Sequence, residues 1–132
     1  METIKDNKEC KQEILEIDLP VKSEGNIRGH WVWAWHRKQA HRKAIIAAFM
    51  NMAVKPQLPC NVTFIRLSPR FLDAEENLPF AFKAQKDCIA GLLIPGKAPG
   101  RADGDKRIAW HYKQEKSKLK GYRIVFDWDA VT

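Results

Sequence analysis

Apolar and polar residues alternate in four stretches of this chain, which is the pattern of β-strands with one buried face. The stretches are Glu13–Pro20, Cys60–Leu67, Arg107–Gln114 and Tyr122–Trp128. The residues predicted to face inward are Val62, Phe64 and Leu67 in the second stretch, Ile108, Trp110 and Tyr112 in the third, and Tyr122, Ile124, Phe126 and Trp128 in the fourth. A lysine-rich turn at residues 116–121 separates the last two stretches and predicts an antiparallel hairpin.

Two other stretches repeat their apolar residues at the helical period. The first spans Trp31–Ala53, and its predicted core-facing residues are Ile45, Ile46, Phe49, Met50 and Ala53. The second begins at Asn77, a residue suited to an N-cap, and ends near Leu92, before Pro95 and Gly96. Its predicted core stripe is Leu78, Ala81, Phe82, Ile89 and Leu92, with Phe80, Lys83 and Asp87 on the opposite side. The order β, α, β, α, β, β predicts an α+β domain in which two main helices pack on one face of a mixed β-sheet.

The composition is that of a single globular domain, with 132 residues of which 45% are hydrophobic and 30% charged. We expect a polar N-terminal tail at residues 1–12 and one domain at residues 13–132. No apolar run reaches the roughly 18 residues of a membrane span, and the polar start lacks a signal-peptide hydrophobic region, so a cytoplasmic location is expected. Cys10, Cys60 and Cys88 are widely spaced without a CxxC motif and are predicted to be reduced thiols.

The net charge of +7 is unevenly distributed along the chain. No acidic residue occurs between Gly25 and Leu72, and a second basic block from Lys106 to Arg123 contains only Glu115 as an acid. Two such blocks are suited to a groove that follows a phosphate backbone, and the alternative is a set of scattered solvated lysines. The residues predicted to contact DNA are Arg28, Arg37, Lys38, Arg42, Lys43 and Arg70.

Aromatic residues accompany the basic residues in the first half of the long helix, at Trp31, Trp33 and Trp35. Such side chains stack on unpaired bases, although tryptophans near a helix start also serve as core or dimer contacts. His36 and His41 lack the partners of a metal site and are interpreted as surface residues or phosphate contacts.

Carboxylates are concentrated in one stretch of this basic chain, Pro69–Asp105. They are Asp73, Glu75, Glu76, Asp87, Asp103 and Asp105. Oxygen ligands suit a hard divalent cation such as Mg²⁺, which keeps part of its coordination sphere for water and phosphate. The alternative for Lys83 and Asp87, one helical turn apart, is an ordinary ion pair on a solvated face.

Three short motifs follow one another here: LDAEENL at 72–78, FKAQKDCIA at 82–90 and ADGD at 102–105, just before a strand. In this order they resemble the RusA family of Holliday junction resolvases and its phage relatives. The similarity also takes in the first strand and the NIRGHW approach to the basic helix, and it covers most of the chain from about Glu13 to Trp128.

The resemblance implies a dimeric, Mg²⁺-dependent endonuclease, with Mn²⁺ as a possible substitute, that cuts four-way DNA junctions in a bacterial or phage-infected cell. The catalytic residues that it implies are Asp73, Glu76, Lys83, Asp87 and a loop aspartate, either Asp103 or Asp105, and its metal ligands are the same carboxylates. Glu76 stands where the family usually has aspartate, one residue further from Asp73, so Glu75 is an alternative ligand. Lys83 lies about one turn further along the helix than the corresponding lysine.

Two other functions remain open from the sequence. One is a non-catalytic DNA- or RNA-binding domain on the same fold, and the other is a small structural or regulatory protein whose acidic cluster caps a helix. Cleavage that depends on metal separates the nuclease from the binding domain, and salt-dependent binding to nucleic acid separates both from the third.

Overall fold

A computed structural model describes residues 8–21, 31–72, 77–96 and 104–131 of the chain. In chain order its elements are β1 (Lys8–Ile17), α1 (Trp31–Met50), β2 (Cys60–Ser68), α2 (Asn77–Ala81), α3 (Lys83–Leu93), β3 (Ile108–Lys116) and β4 (Gly121–Val131). All four predicted strands are therefore present. β1 also takes in residues 8–12, which the sequence pattern assigns to a tail.

The strands form one mixed sheet in the order β1-β4-β2-β3. β4 is antiparallel to both β1 and β2, whereas β2 and β3 are parallel. The predicted hairpin between β3 and β4 is wrong, because β2 lies between them. Their short connection instead crosses the end of β2, where the backbone N–H of Ser117 donates to the carbonyl oxygen of Ser68 at 3.1 Å.

Gly121 allows β4 to begin directly after this crossing. The residue pairs with Leu67 of β2 and passes close to the end of β1. A Cβ atom added at position 121 would lie 2.7 Å from the carbonyl oxygen of Ile17, closer than real Cβ atoms approach. A side chain at this position would therefore push β4 away from β1.

One face of the sheet is buried, and all three helices lie on it. Predicted inward residues that are buried there are Val62, Phe64, Ile108, Tyr122, Ile124, Phe126 and Trp128, whereas Trp110 and Tyr112 are half-buried. The prediction for Leu67 is wrong, because it alternates with Phe64 in β2 and lies on the other face. The ring centroid of Phe49 in α1 lies 6.2 Å from that of Phe126, and Phe82, between α2 and α3, stacks at 4.8 Å on Phe64. The other face carries polar pairs such as Gln12–Asp127 and Asn61–His111. The α+β class is confirmed, with a four-stranded mixed sheet and helices on one face.

α1 rests on the sheet through His41, Ile45 and Phe49, all of which are buried. Part of the predicted core stripe is wrong, because Ile46 and Met50 are exposed, as is Ala53 after the helix end. Residues one position beyond the i, i+4 row that meets the sheet are rotated by about 100° around the helix axis and face solvent. Although α1 is 20 residues long, no helix in the described ranges is apolar enough to span a membrane.

The second predicted helix is broken into α2 and α3 at Phe82. The N–H of Phe82 donates to the carbonyl of Pro79 at 3.3 Å, and its own carbonyl accepts from the N–H of Lys86 at 2.8 Å. Phe82 is fully buried, so the break directs its ring into the core. The predicted two-sided character is confirmed for Leu78, Ala81, Phe82 and Ile89, which are buried, and for Phe80 and Lys83, which are exposed. Leu92 and Asp87, predicted on opposite sides, are both half-buried.

The three cysteines are free thiols, as expected from their spacing. Cys10 is exposed, whereas Cys60 and Cys88 are buried. Burial disfavours a thiolate, and it raises the pKa of Cys60 to about 11.

Candidate functional site

α1 and α3 pack side by side on the sheet and leave an open cleft of about 300 Å³ between them. Its lining residues are Trp35, Arg37, Lys38, Gln39, His41 and Arg42 from α1, Phe80, Ala81, Lys83, Ala84, Gln85 and Asp87 from α2 and α3, and Pro20. The fold thus brings five of the predicted DNA-binding and catalytic residues into one place. They are Arg37, Lys38, Arg42, Lys83 and Asp87.

A buried hydrogen-bonded group lies beneath the cleft. His41 Nδ1 and the Tyr122 hydroxyl are 2.7 Å apart, and their rings stack at 5.4 Å. Burial raises the pKa of Tyr122 well above its usual value, and a hydrogen bond from the Gln85 amide opposes that rise. Because the Gln85 amide donates to the hydroxyl oxygen, the hydroxyl hydrogen is available to donate to Nδ1, which leaves the imidazole proton on Nε2.

His41 is buried, so its interpretation as a surface residue is wrong, whereas its alternative interpretation as a phosphate contact stays a prediction. Its position was available from the sequence, since it stands four residues before Ile45 and eight before Phe49, on the row that meets the sheet. Sequence reasoning also missed the roles of Gln85 and Tyr122, which are brought together only when α3 packs over β4.

Asp87 is the carboxylate in the lining of the cleft. Its Oδ2 lies 3.7 Å from the Lys83 ammonium, in an i, i+4 pair whose side chains are 67% exposed for the lysine and 31% for the aspartate. Its Oδ1 is buried and has no hydrogen-bond partner among the described residues. A carboxylate oxygen that is withdrawn from water and unpaired is costly, so this atom is suited to a cation or a donor brought by a ligand.

Cationic side chains line the same cleft as this carboxylate. Arg37, Lys38 and Arg42 line the α1 wall, opposite Lys83 on α3. Burial raises the pKa of the Cys88 thiol in α3, and the nearby Arg42 guanidinium opposes that rise. Four cationic groups against one carboxylate make the described part of the cleft electropositive, as a phosphate-binding groove requires.

Two aromatic side chains also line the cleft and remain about half exposed. Trp35 is 51% exposed on the α1 side, and Phe80 is 51% exposed on the α2 side. Exposed rings beside cationic groups are typical of surfaces on which unpaired bases stack. Trp33, at 64% exposure, is outside the lining, and its ring lies 6.3 Å from that of His36 in a tilted arrangement.

Asp105 lies away from the cleft, just before β3. Its carboxylate accepts from the Arg107 backbone N–H at 2.9 Å and from the Arg107 guanidinium at 3.0 Å, and these bonds raise the pKa of Arg107. Ile108, the first residue of β3, pairs with Cys60 of β2. Tyr122, which lies beneath the cleft, pairs with Arg66 of β2. At about 3.3 Å per residue, these two positions are about 20 Å apart along β2.

The remaining predicted site residues are divided between the described and undescribed parts of the chain. Lys43 and Arg70 are exposed, outside the cleft lining. Asp73, Glu75, Glu76, Asp103 and Arg28 lie outside the described residues. Within the described ranges, no three His, Cys, Asp or Glu side chains come together as a metal site would require.

Residues 73–76 include three of the predicted ligands and connect two described parts of the chain, Leu72 and the start of α2. On one side, the backbone N–H and carbonyl of Leu72 both pair with the Gln114 side-chain amide at 2.8 Å. On the other side, Asn77 begins α2, whose Phe80 and Ala81 line the cleft. The acidic segment is therefore joined directly to the helix that forms one wall of the cleft.

Comparisons of this chain with protein-family models, with curated proteins and with solved structures found no match.

Proposed function

We propose that this chain is a Mg²⁺-dependent, structure-specific endodeoxyribonuclease that resembles RusA and resolves four-way DNA junctions by paired phosphodiester hydrolysis. One observation carries the proposal: the cleft holds a buried carboxylate oxygen of Asp87 that has no hydrogen-bond partner among the described residues, and the lining of the same cleft carries four cationic side chains. Carboxylates within an electropositive groove are what a metal-dependent nuclease needs, because the groove binds the polyanion and the acids bind the ion.

The cationic walls supply the affinity for DNA. Arg37, Lys38 and Arg42 follow one another along a single helix, so they can meet successive phosphates of one strand. Each phosphate that they neutralise releases a counterion, and binding should therefore weaken steeply as salt rises. Trp35 and Phe80 add flat apolar surface where bases are unpaired, as at the centre of a junction.

The donor atoms that would hold the ion are carboxylate oxygens. Asp87 fits a hard cation because Oδ1 has a free lone pair, and Asp73 with Glu76 or Glu75 would complete the set. Asp105 lies too far from the cleft to share that ion. Mg²⁺ held by these carboxylates would lower the pKa of a water ligand and would stabilise charge on the scissile phosphate.

Lys83 has a separate role in this proposal. Its ammonium lies near Asp87 but is 67% exposed, so it can turn from the carboxylate to a phosphate oxygen without losing a buried contact. In that position it stabilises negative charge that develops on the phosphate or on the leaving oxygen.

The test is to compare Asp87→Asn and Asp73→Asn with Asp18→Asn, an exposed aspartate after β1 that serves as the matched control. We expect the first two variants to lose at least about 100-fold in the rate of Mg²⁺-dependent junction cleavage. Their binding to the junction should be unchanged or tighter, because a charge that repels phosphate is removed. Cleavage by Asp87→Asn at the rate of the control would reject the catalytic role of the cleft.

A second function, non-catalytic binding of branched or single-stranded nucleic acid, is favoured by a different observation. Asp87 is the one acid in the described cleft lining, and Lys83 already pairs with it. A binding protein needs the cations and the aromatic rings but not the metal. Wild-type protein that binds junctions with strong salt dependence and never cuts them with Mg²⁺ or Mn²⁺ would favour this second function.

A further inference from the structure

Gln85 places a buried hydrogen-bond acceptor in the lining of the cleft. The residue is 4% exposed, and its Oε1 has no hydrogen-bond partner among the described residues. The amide nitrogen is already engaged, because it donates to the Tyr122 hydroxyl, which in turn lies 2.7 Å from His41 Nδ1. The amide cannot turn over without losing this bond, so the group that it offers to a ligand is the oxygen, which accepts and never donates.

A metal ion is a poor partner for this oxygen. Mg²⁺ dehydrates reluctantly and usually keeps several waters, and a fully buried amide oxygen leaves little space for them. Gln85 and Asp87 are also two positions apart in α3, so their side chains leave the helix about 200° apart around its axis. The two oxygens therefore face different parts of the cleft. Gln85 is not a further ligand of the ion assigned to Asp87, and a ligand with an N–H donor fits it better.

The rest of the lining indicates which kind of molecule carries this donor. Trp35 on the α1 wall and Phe80 on the α2 wall are each 51% exposed, and such rings bind flat molecules by stacking. Lys38 and Arg42 are exposed in the same lining and suit an anionic group. A flat ring that carries N–H donors and is joined to a phosphate is a nucleotide.

We infer that the cleft binds one unpaired nucleotide of a DNA strand, whose base stacks against Trp35 and Phe80 and donates an exocyclic amino hydrogen to Gln85 Oε1. The cleft volume of about 300 Å³ fits this ligand, because it is at the lower end of the roughly 300–1,000 Å³ of small-molecule sites. A single nucleotide can enter such a space, and a base pair cannot. Proteins that take a base out of the duplex hold it by this combination of stacking and hydrogen bonds to its edge.

Gln85 is the specificity-determining residue of this site. A base that lacks the amino group would cover Oε1 without satisfying it, and a buried acceptor left without a partner is costly. Selection among unpaired nucleotides therefore comes from the rejection of bases that offer no donor. The inference rests on the proposed function only in taking DNA as the ligand, since neither a metal ion nor cleavage is part of it.

Three hairpin DNAs test the inference by their binding in EDTA, measured by fluorescence anisotropy. Each hairpin contains one bulged nucleotide, which is deoxyadenosine, purine deoxyriboside or an abasic site. Purine deoxyriboside is deoxyadenosine without its amino group, so it keeps the stacking surface and removes the donor. We expect the wild type to bind the adenine bulge about tenfold more tightly than the abasic bulge and about fivefold more tightly than the purine bulge.

Two variants and a matched control assign these preferences to residues. Gln85→Met has a similar size but no acceptor, so its preference for adenine over purine should fall to within about twofold, whatever its effect on stability. Trp35→Ala, at an exposed position, should lose most of the preference for adenine over the abasic site. Trp33→Ala is the control, because Trp33 is 64% exposed on the same helix but outside the cleft lining, and it should bind as the wild type does.

Loss of the adenine preference in Gln85→Met, together with weaker binding by Trp35→Ala and not by Trp33→Ala, would support the inference. Equal binding of the three hairpins by the wild type, no binding of any of them, or a Gln85→Met variant that retains the preference would overturn it. The result is separate from that of the nuclease test because no metal is present. Junction cleavage with equal binding of the three hairpins would overturn the nucleotide site alone.

Discussion

Replacing Tyr122 by phenylalanine removes one oxygen atom from beneath the cleft and should destabilise the protein measurably. The hydroxyl is buried, lies 2.7 Å from His41 Nδ1 and accepts a hydrogen bond from the Gln85 amide. Without it, both neighbours are left with a buried polar atom that has lost this partner. The Gln85 Oε1 is already without a hydrogen-bond partner in the described structure. We therefore expect that His41 and Gln85 cannot replace the lost hydrogen bonds by turning their side chains.

The expected cost follows from these contacts. A buried polar group that loses its partner costs about 1–3 kcal/mol, while phenylalanine no longer has to bury a hydroxyl, so we expect a net loss of about 2 kcal/mol. For a chain of 132 residues the entropy of unfolding is about 0.28 kcal/mol/K, so the melting temperature should fall by about 7 °C.

A double-mutant cycle with His41→Leu assigns this loss to the hydrogen bond. If the two side chains are coupled as the structure shows, the double variant should be more stable than the sum of the single losses predicts, by about 1 kcal/mol or more. Thermal unfolding followed by circular dichroism measures all four proteins. A shift below 2 °C for Tyr122→Phe, or strict additivity in the cycle, would refute the reasoning.

Two further predictions concern binding and pH. Arg42→Ala should weaken junction binding and lower the slope of log binding constant against log salt by about one unit, whereas Arg123→Ala, on the open face of the sheet, should leave the slope unchanged. Fluorescence anisotropy at several salt concentrations measures both, and equal slopes would contradict the placement of DNA in the cleft. The raised pKa of Cys60 means that the fold favours its protonated thiol, so its contribution is complete below about pH 9 and is lost as pH rises through about 11. Urea unfolding between pH 8 and pH 11 should therefore show a shallower loss of stability in Cys60→Ala than in the wild type, and parallel curves would contradict it.

The strands and the class of fold could be predicted from the sequence because the alternation is strong where one face is buried. In β4 every second residue from Tyr122 to Trp128 is buried, as its pattern indicates. The order of the strands could not be read in the same way. Proximity along the chain favours a hairpin between β3 and β4, but their connection crosses the end of β2. Gly121 fits this connection because it approaches the backbone of Ile17 too closely for a side chain.

The helices show where periodicity becomes ambiguous. α1 has apolar residues on more than one side, so the sequence pattern does not separate Ile46 and Met50 from Ile45 and Phe49. The row that meets the sheet includes the polar residue His41, which made this row harder to recognise as the buried one. That histidine is buried because Tyr122 satisfies it, a contact between residues 81 positions apart that no local pattern contains.

The candidate site was partly accessible from the sequence. Basic residues on α1 and the Lys83–Asp87 turn on α3 were identified from charge and spacing, and their meeting in one cleft follows from packing both helices on one face. The separation of Asp105 from this cleft, by contrast, depends on the direction of β3, which runs parallel to β2 and begins at the far end of the sheet.

Cleavage of a synthetic four-way junction by the purified wild-type protein tests the central claim most directly. The junction carries a label on each strand in turn, and the products formed with Mg²⁺ are compared with those formed in EDTA. The account predicts paired cuts at symmetric positions on two opposing strands, with Mg²⁺ or Mn²⁺ and not with EDTA. Junction that remains intact while fully bound, with either metal, would contradict it.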